Sequence, residues 1–180
     1  MNILVNNKVI EFQHEDFPML ISGAPGAGSS FFSIELMVNL LRNGEKVIIF
    51  SAYEQAKDLF KKEVGDFRNP DALIIESEDD GLFLEQLKNV PDAKERIILY
   101  KNIDNYDSRL FDALADSQLV IYSGNLDKCV FKQQLIEKPL KTKIFFSYPK
   151  NIEITDKIEL SKYCARIMSD KYDGIITLAL

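Results

Sequence analysis

From residue 17 onward, short uninterrupted apolar runs alternate with longer stretches whose apolar positions recur at helical spacing. The runs fall at Met19–Ser22 and at 47–51, 73–76, 97–100, 119–122 and 144–147. Runs this short and this continuously apolar predict strands covered on both faces rather than half-solvated ones. Amphipathic segments at 31–41, 54–64 and 82–90 lie between the first of them, each long enough to cross a sheet and return the chain in parallel. The rhythm predicts an α/β fold in three layers around a mostly parallel central sheet. Hairpins are predicted at both ends. The first joins 3–5 to 8–12 through Asn6-Asn7, a pair that tolerates the positive φ of a tight turn. The second joins 163–168 to 174–180 around Ser169 to Asp173 and is expected to close one edge of the sheet.

Composition narrows the class without naming a function. The 180 residues are 46% hydrophobic and 28% charged, with 28 acidic against 22 basic side chains and a net charge of −6. That balance fits a globular chain and disfavours a disordered one or a general nucleic-acid binder. No apolar run approaches a membrane span, and the start, MNILVNNKVIEF, lacks a basic flank followed by an apolar core. A cytoplasmic protein with no membrane partner is expected. No repeat or linker interrupts the chain, which reads as a single domain over residues 1–180. Cys129 and Cys164 lack metal-ligand spacing and are expected to be reduced thiols. His14, beside Glu15 and Asp16, reads as a surface residue.

The most informative stretch is Met19-Leu20-Ile21-Ser22-Gly23-Ala24-Pro25-Gly26-Ala27-Gly28-Ser29-Ser30, leading directly into the segment at 31–41. An apolar strand, a glycine-rich turn and a helix follow in that order. Small residues let successive backbone N–H groups converge, and the helix N-terminus adds favourable partial charge, so this is the layout of a phosphate cradle. Against the pattern G-x-x-x-x-G-K-[ST], Gly23, Gly28 and Ser30 fit, but Ser29 occupies the lysine position. The expected nucleotide contacts are Gly23, Pro25, Gly26, Ala27, Gly28, Ser29 and Ser30. Without the lysine, triphosphate binding is expected to be weakened and hydrolysis slowed severely.

At this point the chain resembles the RecA/KaiC/DnaB-like branch of P-loop ATPases, as a degenerate member. Residues 43–55 look like that branch's second core strand, which ends in a water-activating glutamate; the match implies a general-base role for Glu54. The branch then places an acidic residue after four apolar positions to organise magnesium. Here Ile97-Ile98-Leu99-Tyr100 is followed by Lys101, with Asp104 three residues on. Lys101 either reaches toward the loop and supplies the missing cation, pairs with Glu54 and locks an inactive site, or is an ordinary strand-end lysine. Ser30 and Asp104 are the residues that would hold Mg2+. Asn125, after the strand at 119–122, stands where related ATPases sense phosphate, and reads equally well as a turn residue.

The resemblance implies a RecA-like P-loop fold and, given the altered charges, a regulatory or structural component with weak or no binding of ATP and Mg2+. Its partners would be itself or a related ATPase subunit. Two alternatives stay open. One is an atypical ATPase with the cation supplied by Lys101 or in trans. The other is a DNA-associated accessory protein using the Lys128–Lys150 segment, where Lys128, Lys132, Lys138, Lys141, Lys143 and Lys150 face Glu137 as the sole acid. Lysines keeping an edge strand soluble account for that segment equally well. The acidic group Glu76, Glu78, Asp79 and Asp80 reads as a solvated helix start.

Overall fold

The computed structural model describes residues 3–5, 8–51, 58, 60–61, 70–75, 80–101, 103–104, 113–114, 119–148, 150, 154, 156, 158–161 and 163–177. Among the described residues, ten strands form one sheet: β1 (Ile3–Val5), β2 (Lys8–Ile10), β3 (Met19–Ser22), β4 (Val47–Phe50), β5 (Ala72–Ile75), β6 (Ile97–Lys101), β7 (Val120–Gly124), β8 (Thr142–Phe145), β9 (Cys164–Ser169) and β10 (Asp173–Thr177). Their order across the sheet is β2-β1-β10-β9-β8-β3-β7-β6-β4-β5. The six strands from β8 to β5 are parallel, and β9, β10, β1 and β2 continue the sheet in antiparallel fashion.

Alternation along each strand builds two cores. Met19, Ile21, Val47, Ile49, Ile97, Leu99, Ile121 and Ile144 face the long helix α1 (Ser29–Arg42), packing on Phe32, Leu36, Met37 and Leu40. The intervening Leu20, Ile48, Phe50, Ile98, Tyr100, Val120 and Tyr122 face the other way, against Phe83 of α2 (Asp80–Lys88) and Leu135 of α3 (Lys132–Glu137). Strands sandwiched in this way need apolar residues at every position, which is why β3, β4 and β6 are buried throughout.

The three-layer α/β architecture expected from the rhythm is the one observed, with strand bounds shifted by one or two residues (β4 Val47–Phe50, β5 Ala72–Ile75, β7 Val120–Gly124) and a different margin. The run at 144–147 begins two residues earlier, as Thr142–Phe145, because Thr142 and Lys143 pair with Met19 and Leu20. The run at 97–100 extends to Lys101, placed opposite Ser123. The C-terminal hairpin does not close an edge: β10 pairs with β1 through Val5 and Ile176, so the N-terminal hairpin lies outside it and β2 is the margin. β8 likewise lies inside the sheet, between β3 and β9, so the lysines around it do not guard an edge strand. The Asn6-Asn7 turn, most of the segment at 54–64 and the side chains of the 76–80 acidic group lie outside the described residues.

Away from the loop, Arg96 ties the start of β6 to the start of β5 across the intervening β4. Its guanidinium donates to Asp92, at 2.7 and 3.2 Å, and to the carbonyls of Asp71 and Pro70, each at 3.0 Å. Lys46 adds a second cation to the same carboxylate at 2.7 Å. Together they hold Asp92 down to about 2, Arg96 contributing most.

Candidate functional site

The carboxyl ends of β3, β6 and β7 meet below the N-terminus of α1, where open α/β sheets place their ligands. The glycine loop leaves β3 at Ser22, whose buried hydroxyl accepts a hydrogen bond from the Leu126 amide at 3.2 Å. Gly23 N–H donates to the Gly124 carbonyl at 3.3 Å, and Ala27 N–H to the Ala24 carbonyl at 3.1 Å. Gly26 and Gly28 have φ of 79° and 107°, left-handed values that glycine adopts without strain. Ala24 N–H donates to Ser147 Oγ at 2.7 Å, so the residues just past β8 anchor the loop's crest.

α1 starts at Ser29, and its first turn carries no acidic residue, leaving the helix's N-terminal partial charge uncompensated by its own side chains. Ser29 is buried, with its hydroxyl turned back on Gly23: a Cβ built at Gly23 would come within 3.0 Å of it. Ser30 is exposed toward the cleft. The cleft holds about 430 Å³ and is lined by the loop, Phe31, Asp104, Gly124, Asn125 and Tyr163.

Lys101 ends β6 and is only 5% exposed. It follows Leu99 by two positions, so strand alternation sends it to the α1 face. There its ammonium donates to Ser30 Oγ at 3.0 Å. Burial lowers the ammonium to about 8, while the Asp104 carboxylate works in the opposite direction. Lys101 thus contacts Ser30 at the start of α1; the pairing with Glu54 falls outside the described residues, as Glu54 does.

Asp104 sits in the turn after β6, and its Oδ1 accepts from Asn125 N–H at 3.3 Å. Asn125 lines the cleft while its own side-chain oxygen accepts from Asp127 N–H at 3.0 Å, capping the short turn at Leu126–Lys128. The structure thus gathers Gly23, Pro25, Gly26, Gly28, Ser29, Ser30, Asp104 and Asn125 around one cleft, with Lys101 behind Ser30 and Ala27 in the loop's turn. Sequence reasoning missed Gly124, Ser147 and Tyr163. Tyr163 lines the cleft from the residue before β9, with φ at 62°, a left-handed value rarely adopted by an aromatic residue.

The lysine-rich segment is dispersed. Lys132 pairs with Asp127 at 3.0 Å and donates to the Lys150 carbonyl, whereas Lys128, Lys141 and Lys150 have exposed side chains. Phe131, Phe145 and Phe146 are core residues. His14 is a surface residue, hydrogen-bonded to Glu45 at 2.9 Å. Cys129 and Cys164 are free. Among the described residues no helix is long and apolar enough to cross a membrane.

No protein-family model matches the sequence, and no curated protein matches it. Solved structures do resemble the fold. EssC (ATPases 2 and 3) from Geobacillus thermodenitrificans aligns with a TM-score of 0.66 at 14% identity, over 98% of this chain and 40% of that one. B204, the DNA-packaging ATPase of Sulfolobus turreted icosahedral virus, aligns with a TM-score of 0.64 at 14% identity, over 90% of this chain and 97% of that one. The genome-packaging NTPase B204 of Sulfolobus turreted icosahedral virus 2, in complex with AMP, aligns at 0.57 and 12% identity, over 92% and 98%. This chain therefore spans less than half of the EssC chain and nearly all of each B204 chain. Identities this low establish the fold, that of RecA-like P-loop ATPase domains, and nothing finer.

Proposed function

We propose that this chain is a RecA-like P-loop domain stripped of ATPase chemistry, acting as a regulatory or structural component beside an ATPase subunit or a second copy of itself. The observation that carries the reading is the hydrogen bond from buried Lys101 to Ser30. The loop offers a hydroxyl, Ser29, where a cation would meet the outer phosphates, and a cation stands where the β6 strand would end in a carboxylate. A dication placed about 4 Å from that ammonium would be repelled by roughly 8 kcal/mol at an effective dielectric of about 20. Both changes weaken transition-state stabilisation while leaving the backbone cradle and its helix intact. That one B204 structure is in complex with AMP supports nucleotide binding by a domain of this fold.

Phosphate release from ATP and magnesium by the purified chain tests the proposal. The expected rate matches the protein-free background. Release above background that falls about tenfold or more in E54Q would overturn it.

The same lysine favours a second reading, an atypical ATPase whose missing loop cation is supplied by Lys101. It predicts turnover that is lost in K101M, and the same assay separates the two. For the accessory role on DNA, the exposed lysines Lys128, Lys141 and Lys150 are the contacts to examine, by retention on single-stranded DNA at low salt.

A further inference from the structure

We propose that the Lys101 ammonium takes the place of the divalent cation in this cleft, so that the cleft binds a nucleotide phosphate group in metal-free form. The inference rests on the reading of the glycine loop as a phosphate cradle, and goes beyond it by specifying the ionic form of the ligand.

The surrounding groups fit magnesium poorly. Magnesium demands near-octahedral oxygen ligands at about 2.0–2.1 Å and is normally held by one or two carboxylates plus substrate phosphates. The hydroxyl available to it, Ser30 Oγ, accepts a hydrogen bond from Lys101 at 3.0 Å. The strand-end position that should supply a carboxylate is the lysine itself. Asp104, the acid on the cleft wall among the described residues, has its Oδ1 on the Asn125 amide. Among the described residues no group of three or more metal-ligating side chains forms.

An ammonium at this position does part of the metal's work without leaving the protein. It places a fixed positive charge behind a hydroxyl that faces the cleft, at the helix end whose amides point to the same space. Because the charge is covalently attached, its contribution does not depend on the concentration of any metal. It is one charge rather than two, and Asp104 offsets part of it, so the cleft suits a short, free phosphate chain rather than a metal-bound triphosphate.

Calorimetric titration of the intact chain with ADP, once in excess magnesium and once in EDTA, tests this. The expected affinity is higher in EDTA than in excess magnesium by about threefold or more, because magnesium ties up ADP in a complex that carries the dication the ammonium repels. Equal or weaker binding in EDTA overturns the proposal, as does the absence of binding in both buffers. In K101M, affinity in EDTA is expected to fall about tenfold or more and the preference for EDTA to disappear; unchanged affinity also overturns it. Circular dichroism checks that the variant folds, and the wild-type comparison stands without it. Hydrolysis is scored separately: binding tighter in EDTA, with turnover in magnesium, defeats the inactive-domain reading and spares this one, and binding no tighter in EDTA, without turnover, does the reverse.

Discussion

Gly124 lies so close to Asp104 that a Cβ on the glycine would come within 2.7 Å of the carboxylate oxygen, and within 2.9 Å of the Ile103 amide nitrogen. With φ at 154°, the glycine also adopts a backbone conformation that L side chains rarely take. The end of β7 and the turn after β6 can therefore pack only because one residue has no side chain. Substitution G124A is expected to destabilise the fold by about 2–3 kcal/mol, read as a lower urea midpoint with an unchanged slope. A midpoint equal to wild type would mean the two segments are not packed this way.

Two glycines of the loop should respond differently to the same change. A Cβ at Gly23 would meet Phe146 Cβ at 2.9 Å and Ser29 Oγ at 3.0 Å, whereas one at Gly26 meets nothing within 4 Å. G23A is expected to cost about 1–3 kcal/mol through overpacking. G26A should cost about 1 kcal/mol from its left-handed backbone alone. Thermal melts of both variants check the order, and a reversed order would contradict the geometry.

Burial of Lys101 carries an energetic cost that its lowered pKa reflects. Replacing it with methionine keeps an unbranched side chain one atom shorter and removes the desolvated charge, so K101M is expected to be more stable than wild type by about 1–2 kcal/mol. Stability gained while nucleotide affinity falls would mark the lysine as retained for binding rather than for folding. Chemical denaturation of the two proteins at neutral pH supplies the comparison.

Asp92 links folding to acid. Its carboxyl is held at about 2 in the fold, with Arg96 the larger cause and Lys46 the next, against an ordinary value of 3.8. A carboxyl depressed in the native state contributes stability that is complete above its unfolded value and fades as pH drops through its folded value. Wild type should therefore lose stability between about pH 4 and pH 2 more steeply than D92N. D92N should be the weaker of the two at neutral pH. Parallel acid-unfolding curves would refute the link.

The strands are legible in the sequence because each must be apolar on both faces, and a run such as Met19–Ser22 suits a covered strand far better than a solvated loop. The loop is legible because Gly26 and Gly28 sit where the backbone turns left-handed. Contacts between distant residues are not. Ser147 is 123 positions from Ala24, and its hydroxyl bond to the loop follows from the register of β8 on β3 rather than from any local pattern. The margin of the sheet is hidden for a similar reason: two hairpins can each form locally, and only the pairing of Val5 with Ile176 decides which lies outside. Lys101 is visible as a misplaced charge, but its direction needs the extension of β6 by one residue to put it in step with Leu99.

The bond from Ala24 to Ser147 gives the cradle a mechanical neighbour. The crest of the loop hangs from the chain just past β8, its root accepts from the Phe146 amide at 2.8 Å, and β8 is laced to β9, so the antiparallel flank is tied to the mouth of the cleft at two points. A molecule docked on that flank and one seated in the loop would thus sense each other along a path a few residues long.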